Sequence, residues 1–309
     1  MAAVPDLGRA ATTIPDLGRA ATSVRSVERR EVLRRIASGS GTQPATMFWR
    51  VFEIEAFIRE APLAGRGVDL GCGDGVFTAA LFSALGSRPT LVGVEPGGRD
   101  CVLARRAGVY AAVHCTTGDR IPEPDASLDF VISNNVLEHI PDLPPVLREV
   151  RRVLRREGSF VFAVPSDQFH TCLGGSRLLG TVARARGSDY HRRLDERMSH
   201  VRYPSPDEWT RTLSAEGLRV VRMHRYMPAR AVRLWERLSN LTGGLAFELF
   251  AGRRTPRQIQ HGLGIARSLP RPIAAAIATG VQLLASNVLD AEVARGEPSG
   301  GLLVIARPR

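Results

Sequence analysis

The chain has 309 residues, 44% of them hydrophobic, which suffices for one large domain or two modest ones and excludes global disorder. Its formal net charge of +11 comes from arginine alone, because the sequence contains no lysine, and this excludes a Schiff-base mechanism. The basic surplus is local, with 14 arginines against 5 acids in residues 218–309, so a distributed basic face for nucleic acid is not indicated.

The first residues form a tandem repeat, VPDLGRAAT followed by IPDLGRAAT. A ten-residue period is too short for a solenoid unit, so we predict a flexible N-terminal tail over residues 1–42. Helical spacing covers 24–37 within that tail, a linker-like SGSGTQP follows at 38–44, and a second amphipathic helix is predicted over 46–60.

Strands and helices then alternate regularly, which predicts a Rossmann-like α/β fold with a seven-stranded, mostly parallel sheet and helices on both faces. Beyond the two helices above, helices are predicted at 76–85, 99–107, 143–154 and 206–216. The predicted strands are 67–70, 90–94, 110–115, 128–133, 159–164, 218–226 and 302–306.

The pattern divides the chain after the tail into a core at 43–227, a long helical insertion at 228–300 between the last two strands, and the core's last strand at 301–309. Within the insertion, residues 273–289 carry no charge and are slightly short for a membrane span. A buried or dimer-forming helix is the favoured interpretation, and peripheral membrane contact is the alternative. The oligomeric state stays open.

The four cysteines, Cys72, Cys101, Cys115 and Cys172, contain no CxxC pair. This spacing predicts no metal site and fits a reducing compartment. The N-terminus has no continuous apolar stretch after a basic start, so we predict no signal peptide and a cytoplasmic protein.

The first predicted strand ends in a glycine turn, VDLGCGDGVFT at 68–78. A dinucleotide fingerprint would need G-x-G-x-x-G, whereas here the third glycine comes one residue early. A phosphate-binding loop of the GK[ST] type is excluded because there is no lysine. The carboxylate of Asp69 lies two residues before the first glycine, which is unusual for a buried strand.

The pattern D-x-G-x-G-x-G resembles motif I of class I S-adenosylmethionine (SAM)-dependent methyltransferases. Further on, TTGDRIPEPDASLDFVISNNVLEHIPD at 116–142 resembles the methyltransferase 11-type subgroup, which includes quinone-biosynthesis enzymes. The resemblance is close over 60–165 and looser over 200–226. It implies SAM as the cofactor, without a phosphate cradle, and an enzyme that transfers methyl groups.

The resemblance also implies a set of cofactor-binding residues. Backbone amides of the turn approach the carboxylate of SAM, Asp69 orients its ammonium group, and Glu95, at the end of the second strand, accepts both ribose hydroxyls. Asp119 is expected to contact the adenine amino group, and Asn134 and Asn135 to lie beside the methionine part. The full predicted set is Asp69, Gly71, Cys72, Gly73, Gly75, Glu95, Asp119, Asn134 and Asn135.

Methyl transfer to a hydroxyl also needs a group that accepts its proton, and histidine is the usual choice. The candidates are His139, His170, His191 and His200. We favour His200, in a stretch similar to one that borders the acceptor pocket in small-molecule and sugar methyltransferases, and then His139, which we expect to open the helix after the fourth strand. His170 and His191 are interpreted as polar loop residues.

The leading hypothesis is methyl transfer to a hydroxyl of a small-molecule, sugar or lipid-linked acceptor, with the insertion as a lid or platform. Two alternatives stay open: a catalytically silent SAM-fold interaction module, and an NAD-dependent oxidoreductase, which the glycine spacing disfavours. No NPPY- or DPPY-type motif occurs, so DNA or RNA methylation is not predicted.

Overall fold

The computed structural model describes residues 29–39, 43–175, 184–241 and 271–309. In these residues the chain forms a seven-stranded sheet in the order β3-β2-β1-β4-β5-β7-β6. All neighbouring pairs are parallel except those of β7, which runs antiparallel to β5 and to β6. The predicted α/β fold with a mostly parallel seven-stranded sheet is confirmed.

The strands follow the predicted order, and most of their ends lie within a few residues of the prediction. They are β1 (Arg66–Leu70), β2 (Thr90–Val94), β3 (Ala112–His114), β4 (Leu128–Asn134), β5 (Leu154–Pro165), β6 (Leu218–Pro228) and β7 (Ser299–Pro308). The strand β5 starts directly after a helix and is the longest described strand, and it pairs with β4 on one side and with β7 on the other.

The described helices lie between and before these strands. They are α1 (Arg29–Gly39), α2 (Pro44–Glu60), α3 (Val76–Leu85), α4 (Gly98–Arg106), α5 (Pro144–Val153), α6 (Phe169–Cys172), α7 (Arg184–Met198), α8 (Pro206–Ala215), α9 (Ala229–Ser239) and α10 (Arg271–Leu284).

Most helices pack against the sheet through one of two apolar cores, which lie on opposite faces of the sheet. One core contains the apolar faces of α1, α2, α3, α9 and α10, and the other contains those of α5 and α8, whose Trp209 is fully buried. Buried strand residues such as Phe130 and Phe160 divide between the two cores, as expected for a parallel sheet covered on both faces.

The packed body begins before the predicted boundary at residue 43. Within the segment that we predicted as a flexible tail, α1 buries Val32, Leu33 and Ile36 to 1% exposure or less. The guanidinium of Arg29 also donates to the carbonyl oxygens of Leu289 and Ala291, at 2.5 Å and 2.8 Å. The tandem repeat at 1–22 lies outside the described residues.

The segment between β6 and β7 contains the helices α9 and α10, and residues 285–298, which are not helical, connect α10 to β7. Residues 242–270 lie outside the description. Part of α10 is buried, at Ala278 and Val281, whereas Leu283 and Leu284 are exposed. Among the described helices, none is both long and apolar enough to cross a membrane.

Candidate functional site

The glycine turn follows β1 at the centre of the sheet, beside β4, where ligands bind in open α/β folds. Gly71, Gly73 and Gly75 all have positive φ angles of 75°, 54° and 78°. A side chain at Gly71 would lie 2.4 Å from Cγ2 of Val136, in the loop after β4, whereas the space in front of Gly73 contains no atom within 4 Å. The turn therefore packs against the β4 loop at its first glycine and is open at its second.

Glu95 ties the glycine turn to the end of β2. Its two carboxylate oxygens accept hydrogen bonds from the backbone amides of Gly73 and Gly97, with N···O distances of 3.1 Å and 2.9 Å. The residue is 4% exposed. Each oxygen keeps a second lone pair. Glu95 thus fits a ligand with two hydroxyl donors that lies across the turn, which is the role that the resemblance implies.

Asp69 lies behind the turn. Its Oδ2 accepts the hydroxyls of Thr78, on α3, and Tyr110, at 2.5 Å and 2.6 Å. Burial, opposed by these two hydrogen bonds and reinforced by the nearby charge of Glu95, raises the pKa of Asp69 to about 6. The carboxylate thus holds the turn to α3, and its contact with the SAM ammonium stays a prediction.

The raised pKa of Asp69 predicts a pH-dependent loss of stability. Because the folded state binds this proton more tightly than the unfolded state, the stabilisation is complete below about pH 4 and is lost as the pH rises to about 6. A shift of about two pKa units corresponds to about 3 kcal/mol. In urea unfolding, the wild type should lose about 3 kcal/mol of unfolding free energy relative to Asp69→Asn between pH 4 and pH 7. A difference between the two proteins that is the same at both pH values would contradict this prediction.

Two further residues of the predicted cofactor set, Asp119 and Cys72, differ in exposure. The side chain of Asp119 is exposed in the loop after β3, and its contact with adenine stays a prediction. Cys72 is 7% exposed and its Sγ faces Gly93 of β2, so it serves as a small packing residue at the turn. The pKa of its thiol is raised, chiefly by burial.

The cysteine spacing, which we interpreted as typical of a reducing compartment, did not predict a disulfide. Although no CxxC pair exists, Cys101 of α4 and Cys115 after β3 form a disulfide, with Cα atoms 6.0 Å apart. The sequence does not show this pairing because it arises when β3 returns beside α4, 14 residues along the chain. Cys72 and Cys172 are free and buried.

Asn134, the last residue of β4, and Asn135, which follows it, are both held by a carboxylate from α2. The Nδ2 atoms of these asparagines donate to the two oxygens of Glu53, at 3.1 Å and 2.6 Å, and the indole of Trp49 donates to the same group. Burial raises the pKa of Glu53, and the hydrogen bonds from both asparagines oppose that shift. Asn135 has a φ of 52°, a conformation that asparagine tolerates better than most residues.

Several buried polar atoms around this loop have no hydrogen-bond partner among the described residues. They are Oδ1 of Asn134 and of Asn135, both carboxylate oxygens of Glu138, and the hydroxyl of Tyr226. Burial, reinforced by the charge of Glu53, raises the pKa of Glu138 to about 8. Unpaired amide oxygens beyond β4 fit a cationic ligand such as the SAM ammonium, so the residues present match the cofactor.

His139 does not open an α-helix, as we predicted, but ends a short 3₁₀ helix (Leu137–His139). The helix α5 begins only at Pro144, because Ile140 precedes Pro141 and adopts an extended conformation. This break leaves the His139 ring partly exposed, with its Nδ1 2.7 Å from the carbonyl oxygen of Ser199.

The four histidines that the sequence offered as candidates lie close together. His139 and His200 have ring centroids 5.1 Å apart, and His170 stacks on His191 at 4.4 Å. His170 and His191 are helical, in α6 and α7, and not loop residues as interpreted above. His139, His191 and His200 line an open cleft of about 720 Å³.

A chain of hydrogen bonds orients His200. Its Nδ1 lies 2.8 Å from the phenol oxygen of Tyr203, and that hydroxyl donates to Oδ1 of Asp195 at 2.5 Å. Asp195 also contacts Nε2 of His170 at 2.9 Å. Burial and the neighbouring His139 lower the pKa of His200 to about 3, so its ring is neutral at physiological pH.

Sequence reasoning missed Glu53, Tyr110, Asp195, Tyr203 and Tyr226. A weak signal existed for Glu53, which is an acid on an otherwise apolar face of α2. Tyr110 lies 41 positions from Asp69, so only the fold brings these two together. Asp195 and Tyr203 lie near His200 in the sequence, but no motif marks them as part of the site.

The chain is similar to known proteins over the region that carries this site. A family model described as a methyltransferase domain matches residues 68–162. A methyltransferase of Mycobacterium sp. strain KMS is 30% identical over 196 residues, which cover 60% of this chain and 73% of that protein. A Thermotoga maritima SAM-dependent methyltransferase structure covers 86% of this chain and 91% of its own, with 16% identity and a TM-score of 0.49.

Other relatives match over a shorter part of their length. The malonyl-[acyl-carrier protein] O-methyltransferase of Serratia marcescens is 36% identical over 98 residues, which are 31% of this chain and 36% of that protein. The chain therefore spans about a third of that relative.

Proposed function

Because the chain belongs to the class I SAM-dependent methyltransferases, we propose that it transfers the methyl group of SAM to a hydroxyl oxygen of a small-molecule, sugar or lipid-linked acceptor. The observation that carries this proposal is the position of the histidine cleft. The loop from Asn134 to His139 runs from the end of β4, next to the glycine turn, directly into the cleft wall. Donor and acceptor sites thus share one loop.

On the donor side, we propose that SAM lies across the glycine turn. Glu95 accepts the ribose hydroxyls, Asp119 contacts the adenine, and the open space in front of Gly73 receives the ligand. The unpaired amide oxygens of Asn134 and Asn135 hold the methionine end. This arrangement brings the sulfonium methyl to the loop that leads to His139.

On the acceptor side, the hydroxyl oxygen attacks the methyl carbon in line, and the bond from carbon to sulfur breaks with its electron pair passing to sulfur. The protein mainly has to align the two groups and receive the hydroxyl proton. Since Nδ1 of His200 faces the Tyr203 oxygen, which is held by Asp195, the neutral ring presents Nε2 as the atom that can accept this proton. His139 lies beside it.

The Serratia marcescens relative supports an oxygen acceptor, since that protein is an O-methyltransferase. Its malonyl group is carried on a protein, which makes carrier-linked acceptors a class to include in assays. A carboxylate acceptor would need no proton acceptor, so comparing hydroxyl and carboxylate compounds separates the two chemistries.

We propose that the insertion at 228–300 serves as a platform for the acceptor. On α9, Trp235 packs against Trp49 and Phe169, at 5.2 Å and 5.6 Å. The carboxylate of Glu236 accepts the hydroxyl of Tyr190, which precedes cleft residue His191, at 2.5 Å. The described part of the insertion is thereby fixed to the wall of the cleft.

Substitution of His200 by alanine tests the acceptor side. We expect turnover to fall by about 10²-fold, the lower end of what a positioned acid or base contributes, because the lowered pKa of His200 makes it a weak base, while SAM affinity stays unchanged. Release of S-adenosylhomocysteine measures turnover, and calorimetry measures SAM affinity. His224→Ala, on β6 and outside the cleft, is the matched control. Unchanged turnover in His200→Ala would remove this residue from the reaction.

A further inference from the structure

We propose that Glu138, His139 and His200 bind one divalent cation of the Zn²⁺ class. The sequence predicts no metal site, and the methyl transfer proposed above does not require one. Yet the structure brings one ligand atom from each of these three residues within 4.8 Å of the others, although His200 is 61 positions along the chain from His139. The site is independent of the identity of the acceptor.

The first observation that points to a ligand is the carboxylate of Glu138. The residue is 1% exposed, and neither of its oxygens has a hydrogen-bond partner among the described residues. Its Oε1 lies 3.9 Å from Nε2 of His139. A buried carboxylate normally has a charged partner or a metal, because burying it alone is costly. A cation between Glu138 and the two histidines satisfies this requirement.

The second observation is how each imidazole is held. The carbonyl oxygen of Ser199 can only accept, so Nδ1 of His139 carries the proton and Nε2 has the lone pair. For His200, the phenol of Tyr203 donates to Asp195, so the same phenol oxygen accepts from Nδ1 of His200. In metal sites, ligating histidines donate their other N–H to such oxygen groups. Both rings thus carry their lone pair on Nε2.

The backbone fixes these side chains relative to one another. Ser199 has a φ of 58°, which ends α7 sharply, and the amide of His200 donates to the carbonyl oxygen of Asp195 at 3.0 Å. The amide of Val201 donates to the carbonyl oxygen of Glu138, also at 3.0 Å. The segment with His200 is therefore attached to the segment with Glu138 and His139, and the three ligands do not depend on a loop that must close.

Two imidazoles and one carboxylate suit Zn²⁺ and related transition metals better than Mg²⁺, which prefers oxygen ligands. Three protein ligands also leave a position open toward the cleft. An acceptor hydroxyl bound there would lose its proton to solvent more readily, and its oxygen would then attack the SAM methyl. If the metal binds, His200 is its ligand and does not accept the hydroxyl proton. If the metal does not bind, His200 keeps the role of proton acceptor proposed above.

The test uses the full chain, free of any affinity tag and stripped of metal with a chelator. Equilibrium dialysis with Zn²⁺ followed by elemental analysis should give one ion per chain, and Co²⁺ should give a visible absorption band of a four- or five-coordinate site. We expect Glu138→Gln and His200→Ala each to weaken Zn²⁺ binding by more than about tenfold, since loss of an outer-shell partner alone has an effect of about that size. His191→Ala, in the same cleft, should bind as the wild type does.

Tyr203→Phe adds a readout that general damage to the fold would not produce. It keeps the stacking of the ring on Phe169 but removes the oxygen that receives Nδ1 of His200. We expect roughly 10- to 100-fold weaker Zn²⁺ binding by a chain that still unfolds cooperatively in the absence of metal.

Absence of stoichiometric Zn²⁺ and Co²⁺ binding, or equal binding by Glu138→Gln and the wild type, would overturn the metal site. Neither outcome decides whether the chain transfers methyl groups, because these measurements contain no SAM and no acceptor; they decide only whether His200 is a metal ligand. Conversely, failure of SAM to bind would overturn the proposed function and leave the metal result standing.

Discussion

Replacing Gly71 with alanine is expected to abolish SAM binding and to destabilise the fold. The residue has a φ of 75°, and this conformation costs an L-residue roughly 1–2 kcal/mol. The new Cβ would also lie 2.4 Å and 2.6 Å from the two Cγ atoms of Val136. The turn or the β4 loop must move, and both are parts of the proposed cofactor site. Calorimetric titration with SAM and urea unfolding measure the two effects.

Two other glycines separate backbone strain from overlap. Gly73 has a positive φ but open space in front of it. Gly73→Ala should therefore lower the free energy of unfolding only through backbone strain. It should still weaken SAM binding, because the new methyl group occupies space proposed for the cofactor. Gly108, outside the site, has a φ of 69° and open space, so Gly108→Ala should leave SAM affinity unchanged. Adding Val136→Ala should partly rescue Gly71→Ala. Wild-type SAM affinity in both Gly71→Ala and Gly73→Ala would contradict this placement of the cofactor.

The second large effect is expected at Glu53. Replacing it with leucine leaves three buried donors without an acceptor, the side chains of Asn134, Asn135 and Trp49. Each such loss costs about 1–3 kcal/mol, so we expect the free energy of unfolding to fall by at least about 3 kcal/mol. SAM affinity should fall as well, because the asparagines are no longer held at the end of β4.

Glu53→Gln is the matched control, since it keeps the shape and one acceptor oxygen. Its loss of stability should be clearly smaller than that of Glu53→Leu in the same urea titration. If leucine is tolerated as well as glutamine, the carboxylate does not hold the β4 loop, and the asparagines must be positioned by other contacts.

The sequence predicted the sheet and most of its helices because each rests on local apolar runs and on punctuation by glycine and proline. The strands β1 and β2 and the helix α3 lie where the pattern places them. The packing of α1 was not predictable, because the apolar face of a short helix does not show what covers it. The 3₁₀ helix before Pro141 was also missed, because three residues are too few to show a helical period in the sequence.

The candidate site was predictable where one motif contains all its members, and not where the fold assembles it. The glycine turn and Glu95 belong to one strand–helix–strand unit, so their proximity follows from the sequence. Glu53 comes from a helix before the first strand, and its link to Asn134 spans 81 positions. The histidines were recognised as a group of candidates, but only the fold brings His139, after β4, beside His200, which follows α7.

Titration of the chain with SAM, S-adenosylhomocysteine and NAD in a calorimeter tests the central claim most directly. The account predicts saturable binding of one SAM per chain and of one S-adenosylhomocysteine in competition with it, and no saturable binding of NAD. Binding of NAD, or no heat with SAM from folded protein, would contradict it.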